Sequence, residues 1–501
     1  MVIEFLKEID HFANSITNKR TNDINKELNE QFFTPIQIAY YMSSMFKPTN
    51  KSEIDFMDTG AGVGNLTASF IAYVCSWKRK PKKINATLYE IDPTLINELK
   101  VNIESCSELC IKNNINLEVK INNEDFIESS VKNLTKDHFE LYDFIILNPP
   151  YKKLNTNSTH KKLLSRIGID VPNYYAAFVS LSYRLLKDNA QLVCITPRSF
   201  CNGQYFKSFR IDIQRHVRIE KIHLFGSRKD LFVDDVLQET MIMMVTRNIQ
   251  RLNDNIDITE SIDHDFANSS KVKKRFDNVI FPHDQEKIIR IIKGDDLSIV
   301  DRMHSLPCTL EQLGIDISTG PVVDFRENQD LLLYEGTLFT IPIIYPENFS
   351  HGFIQWPITG KKPCYLIEDE TNSKKLRPPG IYVLVKRISS KEERKRIVAA
   401  IYDSHNISNT NVAFENKVNY FHIKKKGLNS KALAKGLSLY LNSSIVDFYF
   451  RTFSGSTQVN VSDLKSLKYP SSQCLEIIGE SYNEELPSQE TIDQIINQIL
   501  F

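Results

Sequence analysis

The feature that most constrains this chain is a glycine-rich heptapeptide, Asp58-Thr59-Gly60-Ala61-Gly62-Val63-Gly64, lying between the strand-like run IDFMD (54 to 58) and a helical pattern beginning near Asn65. Glycines let a backbone turn sharply and approach a ligand with no side chain intervening. Taken alone, the pattern also fits a purely structural turn, so its surroundings decide its meaning. A second strand, INATLYE (84 to 90), is followed by a helix after Pro93. LEVKI (117 to 121), DFIIL (143 to 147) and QLVCI (191 to 195) continue the series, with a helix over 174 to 187. Strand and helix in this rhythm predict an α/β fold, a mainly parallel Rossmann-like sheet covered on both faces. Two further runs, 217 to 225 and 236 to 245, read as the strands that complete it.

The rhythm breaks after Arg247, and residues 250 to 275 are polar and charged. They read as a crossing between domains, with the boundary near 260. A chain of 501 residues exceeds what one core supports. The expected division is therefore 1–260 and 261–501. The second part reads as mixed α/β, with one long helix over 430 to 453 and no catalytic constellation. Eight cysteines are scattered without a C-x-x-C pair, and the closest two, Cys106 and Cys110, fall in a helical stretch. No metal site is expected, and the pattern suits a reduced, cytoplasmic protein. No apolar run approaches the roughly 20 residues of a membrane helix, and the N-terminus carries acids among its apolar residues, unlike a signal peptide.

The chemistry is concentrated after the strands. Glu90, closing the second strand, can accept both hydroxyls of a ribose; Asp92 is the alternative, with an equally good role as a helix cap. Asp125, beside Phe126, can accept from the amino group of an adenine while the ring packs against the base; it could equally close a strand. No Lys-[Ser/Thr] follows the glycines, so a nucleoside triphosphate loop is disfavoured. The sharpest signal is Asn148-Pro149-Pro150-Tyr151, directly after DFIIL. An exocyclic amino nitrogen is a poor nucleophile because its lone pair is delocalised into the ring. The Asn148 side-chain oxygen and the Pro149 carbonyl can each accept one of its N–H bonds and localise that pair. The two prolines stiffen the turn, and Tyr151 offers a face for a flat base. Such a scheme works by positioning and electrostatics and requires no metal.

Lys plus Arg equals Asp plus Glu at 62 each, which by itself argues against a nucleic-acid partner. The charge is segregated, however. Residues 374 to 396 hold nine Lys or Arg against two Glu, and Lys424-Lys425-Lys426 follow. These are solvated faces or, beside other nucleic-acid signals, phosphate contacts.

Together these motifs resemble the amino-group DNA methyltransferases that use S-adenosylmethionine, within the adenine-N6 branch, over most of residues 30 to 247. Phe32-Phe33-Thr34-Pro35 resembles that family's upstream cofactor motif, which implies that Phe33 and Thr34 embrace the methionine portion. Asp58, Gly60, Gly62 and Gly64 match its cofactor loop, with Thr59 where many members carry Pro. Glu90 matches the ribose acid, Asp125 and Phe126 the adenine-binding pair, and Asn148 to Tyr151 the catalytic turn. Asn173-Tyr174 and Ile195 to Phe200 resemble later motifs, and Phe232 resembles an aromatic that holds the target base beside Tyr151. The order of cofactor loop, catalytic loop and C-terminal recognition region resembles the gamma class. Gly314 to Gly320, Tyr440 to Ser443, Arg451, Gly455 and Val459 to Pro470 are similar to target-recognition domains of restriction–modification enzymes. The layout most resembles the PstI/BsuBI type, which implies the target CTGCAG. The resemblance further implies double-stranded DNA as partner, a cognate endonuclease on a separate chain, and a monomer or weak dimer. An RNA adenine or protein glutamine methyltransferase would share the Asn-Pro-Pro-Tyr chemistry. The protein glutamine enzymes, however, resemble a shorter chain with a helical domain ahead of the catalytic one.

Overall fold

The computed structural model describes residues 2–19, 33–136, 139–225, 240–261, 266, 269–282, 284–291, 297–337, 339–358, 360, 362–390, 393–454, 457–483 and 485–501. Phe32, Phe232 and Gly455 lie outside the described residues. The chain divides into two compact units, Met1–Ile291 and Ile292–Phe501.

In the first unit β1 (Glu53–Asp58), β2 (Lys83–Tyr89), β3 (Asn116–Asn122), β4 (Tyr142–Leu147) and β5 (Leu186–Pro197) run parallel. Next come β6 (Arg218–Phe225), β7 (Thr240–Thr246), β8 (Asn255–Ser261) and β9 (Ser269–Arg275). The nine form one sheet in the order β3-β2-β1-β4-β5-β7-β6-β8-β9, with β7 antiparallel to both neighbours. Strand side chains alternate between faces, and here both faces are buried. Phe56, Phe144 and Ile146 enter one core, while Met57, Ile145 and Leu147 enter the other. The first face is covered by α1 (Val2–Lys19), α2 (Ile36–Ser44), α3 (Asn65–Cys75) and α4 (Ile96–Lys112). On the second lie α5 (Phe126–Leu134), α6 (Thr159–Arg166), α7 (Tyr174–Arg184) and α8 (Lys207–His216). Phe56 stacks on Phe70 of α3 with centroids 4.1 Å apart. Burial of one such ring stabilises by roughly 1.5–3 kcal/mol, and this pairing locks α3, hence the loop before it, onto β1.

The sheet is built outward from β1 to β3 on one side and through β4 and β5 on the other. Its order thus reverses between β1 and β4, where open α/β sheets form a crevice beyond the strands' carboxyl ends.

Two expectations change. The polar stretch 250–275 is no crossing between domains: β8 and β9 extend the first sheet, so the division falls at Ile291 and not near 260. In β8 only the alternate residues Ile256 and Ile258 are apolar and buried, and β9 is a lysine-rich edge, exposed except at Val272 and Lys274. Charged edges of this kind block further strand pairing, and they read as loop when hydrophobicity alone is scanned. The long helix over 430–453 is two, Lys431–Leu441 and Ser444–Phe453. Asn442 breaks it by exchanging hydrogen bonds with both backbone groups of Ala399.

The second unit is mixed, with short strands. These are β10 (Asp316–Thr319), β11 (Leu332–Leu333), β12 (Thr340–Ile344), β13 (Phe349–Ser350) and β14 (Phe353–Ile354), then β15 (Tyr365–Ile367), β16 (Ile381–Lys386), β17 (Ala399–Asp403), β18 (Ala413–Phe414) and β19 (Val418–His422). They make a six-stranded sheet, β10-β19-β16-β17-β14-β13, and a four-stranded one, β11-β15-β12-β18. No helix among the described residues is long and apolar enough to cross a membrane.

Candidate active site

A cavity of about 230 Å³ opens at the carboxyl ends of β1 to β4. Each strand contributes the residues that follow it, because parallel strands deliver all such loops to one edge of the sheet.

The loop after β1 is shaped by two left-handed residues, Gly62 (φ 56°) and Gly64 (φ 95°). A Cβ at Gly62 would also stand 3.2 Å from the Phe33 ring, so the ring packs on bare backbone. Three hydrogen bonds fix the loop. Ala61 N–H donates to the Tyr89 carbonyl (2.8 Å), Gly62 N–H to Glu90 Oε2 (2.8 Å) and Gly64 N–H to the Ala61 carbonyl (2.7 Å). Glu90 Oε1 accepts from Asp92 N–H (2.7 Å), so its carboxylate is aimed by backbone on both oxygens. Asp92 accepts from Thr94 N–H (2.9 Å) and caps the turn entering α4. Of the two acids weighed from sequence, Glu90 lines the cavity and Asp92 does not.

Asp58 and Gly64 do not line the cavity either. Asp58 is fully buried beneath the loop and accepts from Thr67 Oγ1 of α3 (2.8 Å). Burial pushes its carboxyl up to about 7, the Thr67 hydroxyl and Gly60 N–H opposing that rise. A Cβ at Gly64 would meet Leu99 of α4 at 3.0 Å, so this glycine serves helix packing. Gly60, by contrast, faces open space within the cavity wall.

Beyond β3, Asp125 caps α5 by accepting from Glu128 N–H (3.0 Å). Its other oxygen lies 3.3 Å from His160 Nε2, whose Nδ1 meets Tyr174 OH at 3.0 Å. Burial would raise Asp125, but His160 and the helix N–H groups hold it below the usual carboxylate range. His160 is raised in turn, first by its bond to Asp125. His160 was not found from sequence; it lies on α6, far along the chain, with no motif around it. Phe126 forms a wall with Tyr89 (5.3 Å, edge-on) and Phe178 (4.9 Å). Phe178 also lines the cavity and was equally missed.

After β4, Asn148, Pro149, Pro150 and Tyr151 line the same cavity. Asn148 Nδ2 donates to Thr34 Oγ1 (3.0 Å), which assigns Oδ1 to the opposite side, where Tyr151 OH lies 3.4 Å away. The Thr34 carbonyl meanwhile accepts from Asn65 Nδ2 (2.9 Å). Thr34 therefore ties the segment before α2, the start of α3 and the turn after β4 together. Tyr151 packs edge-on against Tyr175 at 6.2 Å.

Two residues that line the cavity, Thr59 and Asn65, each have a buried oxygen, Thr59 Oγ1 and Asn65 Oδ1, with no hydrogen-bond partner among the described residues. Unsatisfied buried polar groups are costly, and these two fit a polar ligand, Asn65 Oδ1 as an acceptor and the Thr59 hydroxyl as donor or acceptor. With the Phe33 ring and the Glu90 carboxylate they suit a cationic, hydroxyl-bearing nucleoside derivative.

The profile of the Eco57I restriction-modification methylase family matches residues 7–232. The chain is 38% identical over 474 residues to type II methyltransferase M.PstI of Providencia stuartii, covering 94% of this chain and 92% of that one. It is likewise 38% identical over 485 residues to type II methyltransferase M.BsuBI of Bacillus subtilis, covering 95% of each. Among solved structures it shares its fold with the DrdV–DNA complex (TM-score 0.51, 12% identity, 95% of this chain and 59% of that chain).

Proposed function

The chain belongs to the type II methyltransferases of restriction–modification systems, the family of M.PstI and M.BsuBI, and from that premise we propose that it methylates the N6 amino group of an adenine flipped out of duplex DNA, with S-adenosylmethionine as donor. The observation that carries the reading is the meeting of the Asn148–Tyr151 turn with the glycine loop and Glu90 in one cavity. S-Adenosylmethionine supplies a methyl group made electrophilic by its sulfonium. Phe33, Gly60, Gly62 and Glu90 would hold it, with Asp125 and Phe126 at the adenine end.

The remaining work falls to this chain's own groups. Asn148 Oδ1 and the Pro149 carbonyl accept the two N–H bonds of the target amino group and localise its lone pair. Thr34 Oγ1, by engaging Nδ2, keeps the amide from presenting its NH2 end to the target. Tyr151 supplies the stacking face for a base extruded at a cost of a few kcal/mol. No acid–base relay is required, and preorganised acceptors lower the barrier. The second unit supplies target recognition, with CTGCAG the candidate site. A cognate endonuclease on a separate chain reads the same site, and the protein acts as a monomer or weak dimer.

The test is to incubate the purified protein with S-adenosylmethionine and a large plasmid and to map modified bases. N6-methyladenine confined to one short motif is expected. Unmodified DNA with the cofactor bound would redirect the reading to an RNA or protein amide substrate.

A further inference from the structure

β19 of the second unit ends in a hairpin that places two lysines where lysine is a poor fit. Ile423 and Lys426 exchange both backbone hydrogen bonds (2.9 Å each), leaving Lys424 and Lys425 as a two-residue turn. Both are left-handed, at φ 49° and 65°, the only consecutive pair of such non-glycine residues among the described residues. Turns with φ positive at both central positions favour Asn-Gly or Gly-Gly, because a Cβ crowds the following carbonyl. A glycine is present one residue after the hairpin closes, at Gly427, yet it is spent on close packing against Gly380 and Ile381.

The strained turn is held from beneath. Lys425 N–H donates to Nδ1 of the buried His422 (3.1 Å), whose Nε2 lies 2.9 Å from Ser318 Oγ on β10. Asp316, on the same strand, is neutralised by Lys465 at 2.7 Å. Lys424, Lys425 and Lys426 are exposed, and their ammonium groups have no ion-pair partner among the described residues. The backbone strain is thus kept for side chains that neutralise no acid among the described residues. Strain of this kind persists where function uses it.

We propose that the Lys424-Lys425 turn is a contact to the phosphate backbone of duplex DNA, its two ammonium groups held forward by the left-handed hairpin. This rests on the DNA-methylating function above and assigns that function a second-unit contact. An ammonium is a point charge without the planar fork of an arginine, so the contact adds affinity and register and carries no base information.

The experiment measures binding to a duplex carrying CTGCAG, and to one of scrambled sequence, against salt concentration. In the double variant Lys424→Asn/Lys425→Gly the turn gains the residues its geometry favours, so thermal stability is expected to hold or rise. The log–log salt slope is expected to fall by about 1.8, about 0.9 for each phosphate no longer neutralised, equally on both duplexes. The pair Lys424→Gln/Lys425→Gln keeps the aliphatic stems and should lose the same slope, while Lys424→Arg/Lys425→Arg should keep it. Equal slopes in the wild type and the two uncharged variants overturn the proposal, as does a weakening confined to the CTGCAG duplex. A wild type that binds neither duplex overturns the DNA-directed function instead.

Discussion

Two turns in this molecule use the same rare backbone region for opposite ends. At Gly62 and Gly64 positive φ is combined with the absence of side chains, and the loop lays bare backbone beside the Phe33 ring and Glu90. At Lys424 and Lys425 the same region carries two long cationic side chains. A left-handed residue other than glycine costs roughly 1–2 kcal/mol, a cost the glycine loop avoids and the lysine hairpin bears. Of the two turns, the first leaves bare backbone at Gly62 against the Phe33 ring, whereas the second carries two exposed lysine side chains. The cavity of the first unit is lined largely by backbone, amides and aromatic rings, with Glu90 and Asp125 bonded in place. The hairpin presents cations that no acid among the described residues pairs with.

The largest effect that bears on this contrast is expected from Asn148→Ala. Turnover should fall by about 100-fold or more, as when one preorganised partner is removed, with cofactor affinity and the salt slope of DNA binding nearly unchanged. A lower slope would mean that the catalytic turn also touches phosphate, and the separation between the two regions would fail. Gly62→Ala adds both strain and a 3.2 Å contact to Phe33. Cofactor affinity, read by calorimetry, should drop by about tenfold, with stability lower by about 1 kcal/mol or more. Gly60→Ala meets nothing within 4 Å and carries no positive φ, so any affinity it loses reports approach of the ligand itself. An unchanged affinity in both variants would remove the backbone role from this loop.

A smaller change is expected from Thr34→Val, which keeps shape and deletes the acceptor for Asn148 Nδ2. One hydrogen bond of about 1 kcal/mol corresponds to a several-fold loss, and kcat should fall more than cofactor affinity; the reverse would make Thr34 chiefly a ligand contact. The smallest effect on activity belongs to Asp58→Asn, whose readout is stability. Asp58 ionises at about 7 when folded and at about 3.9 when unfolded. The folded state thus binds more protons between those values, and stability is fully present in acid and declines as pH rises through that window. The variant should flatten the decline in Tm between pH 5 and pH 8. An unaltered decline would place its source elsewhere, and the lysine hairpin, with no such buried acid, predicts no matching change in its own variants.

Much of the first unit was written in contiguous stretches. Gly60, Gly62, Glu90 and Asn148 to Tyr151 each follow a strand, and a parallel sheet collects such positions at one edge whatever its finer geometry. Sequence therefore determined the fold class and the family, and it named several residues that the structure places along one cavity. Only tertiary structure turned Asp58 inward, put Gly64 against Leu99 and bound Asp125 to His160. It alone joined Thr34 to Asn148 across 114 positions of chain. The sequence shows three lysines at 424 to 426 but not that two are left-handed, since that follows from the register of β19 and the hydrogen bond to His422. The physical reason is range: turn chemistry and alternation of apolar residues act over a few neighbours and are legible in order, whereas packing and hydrogen bonds between distant segments exist only after the chain has closed.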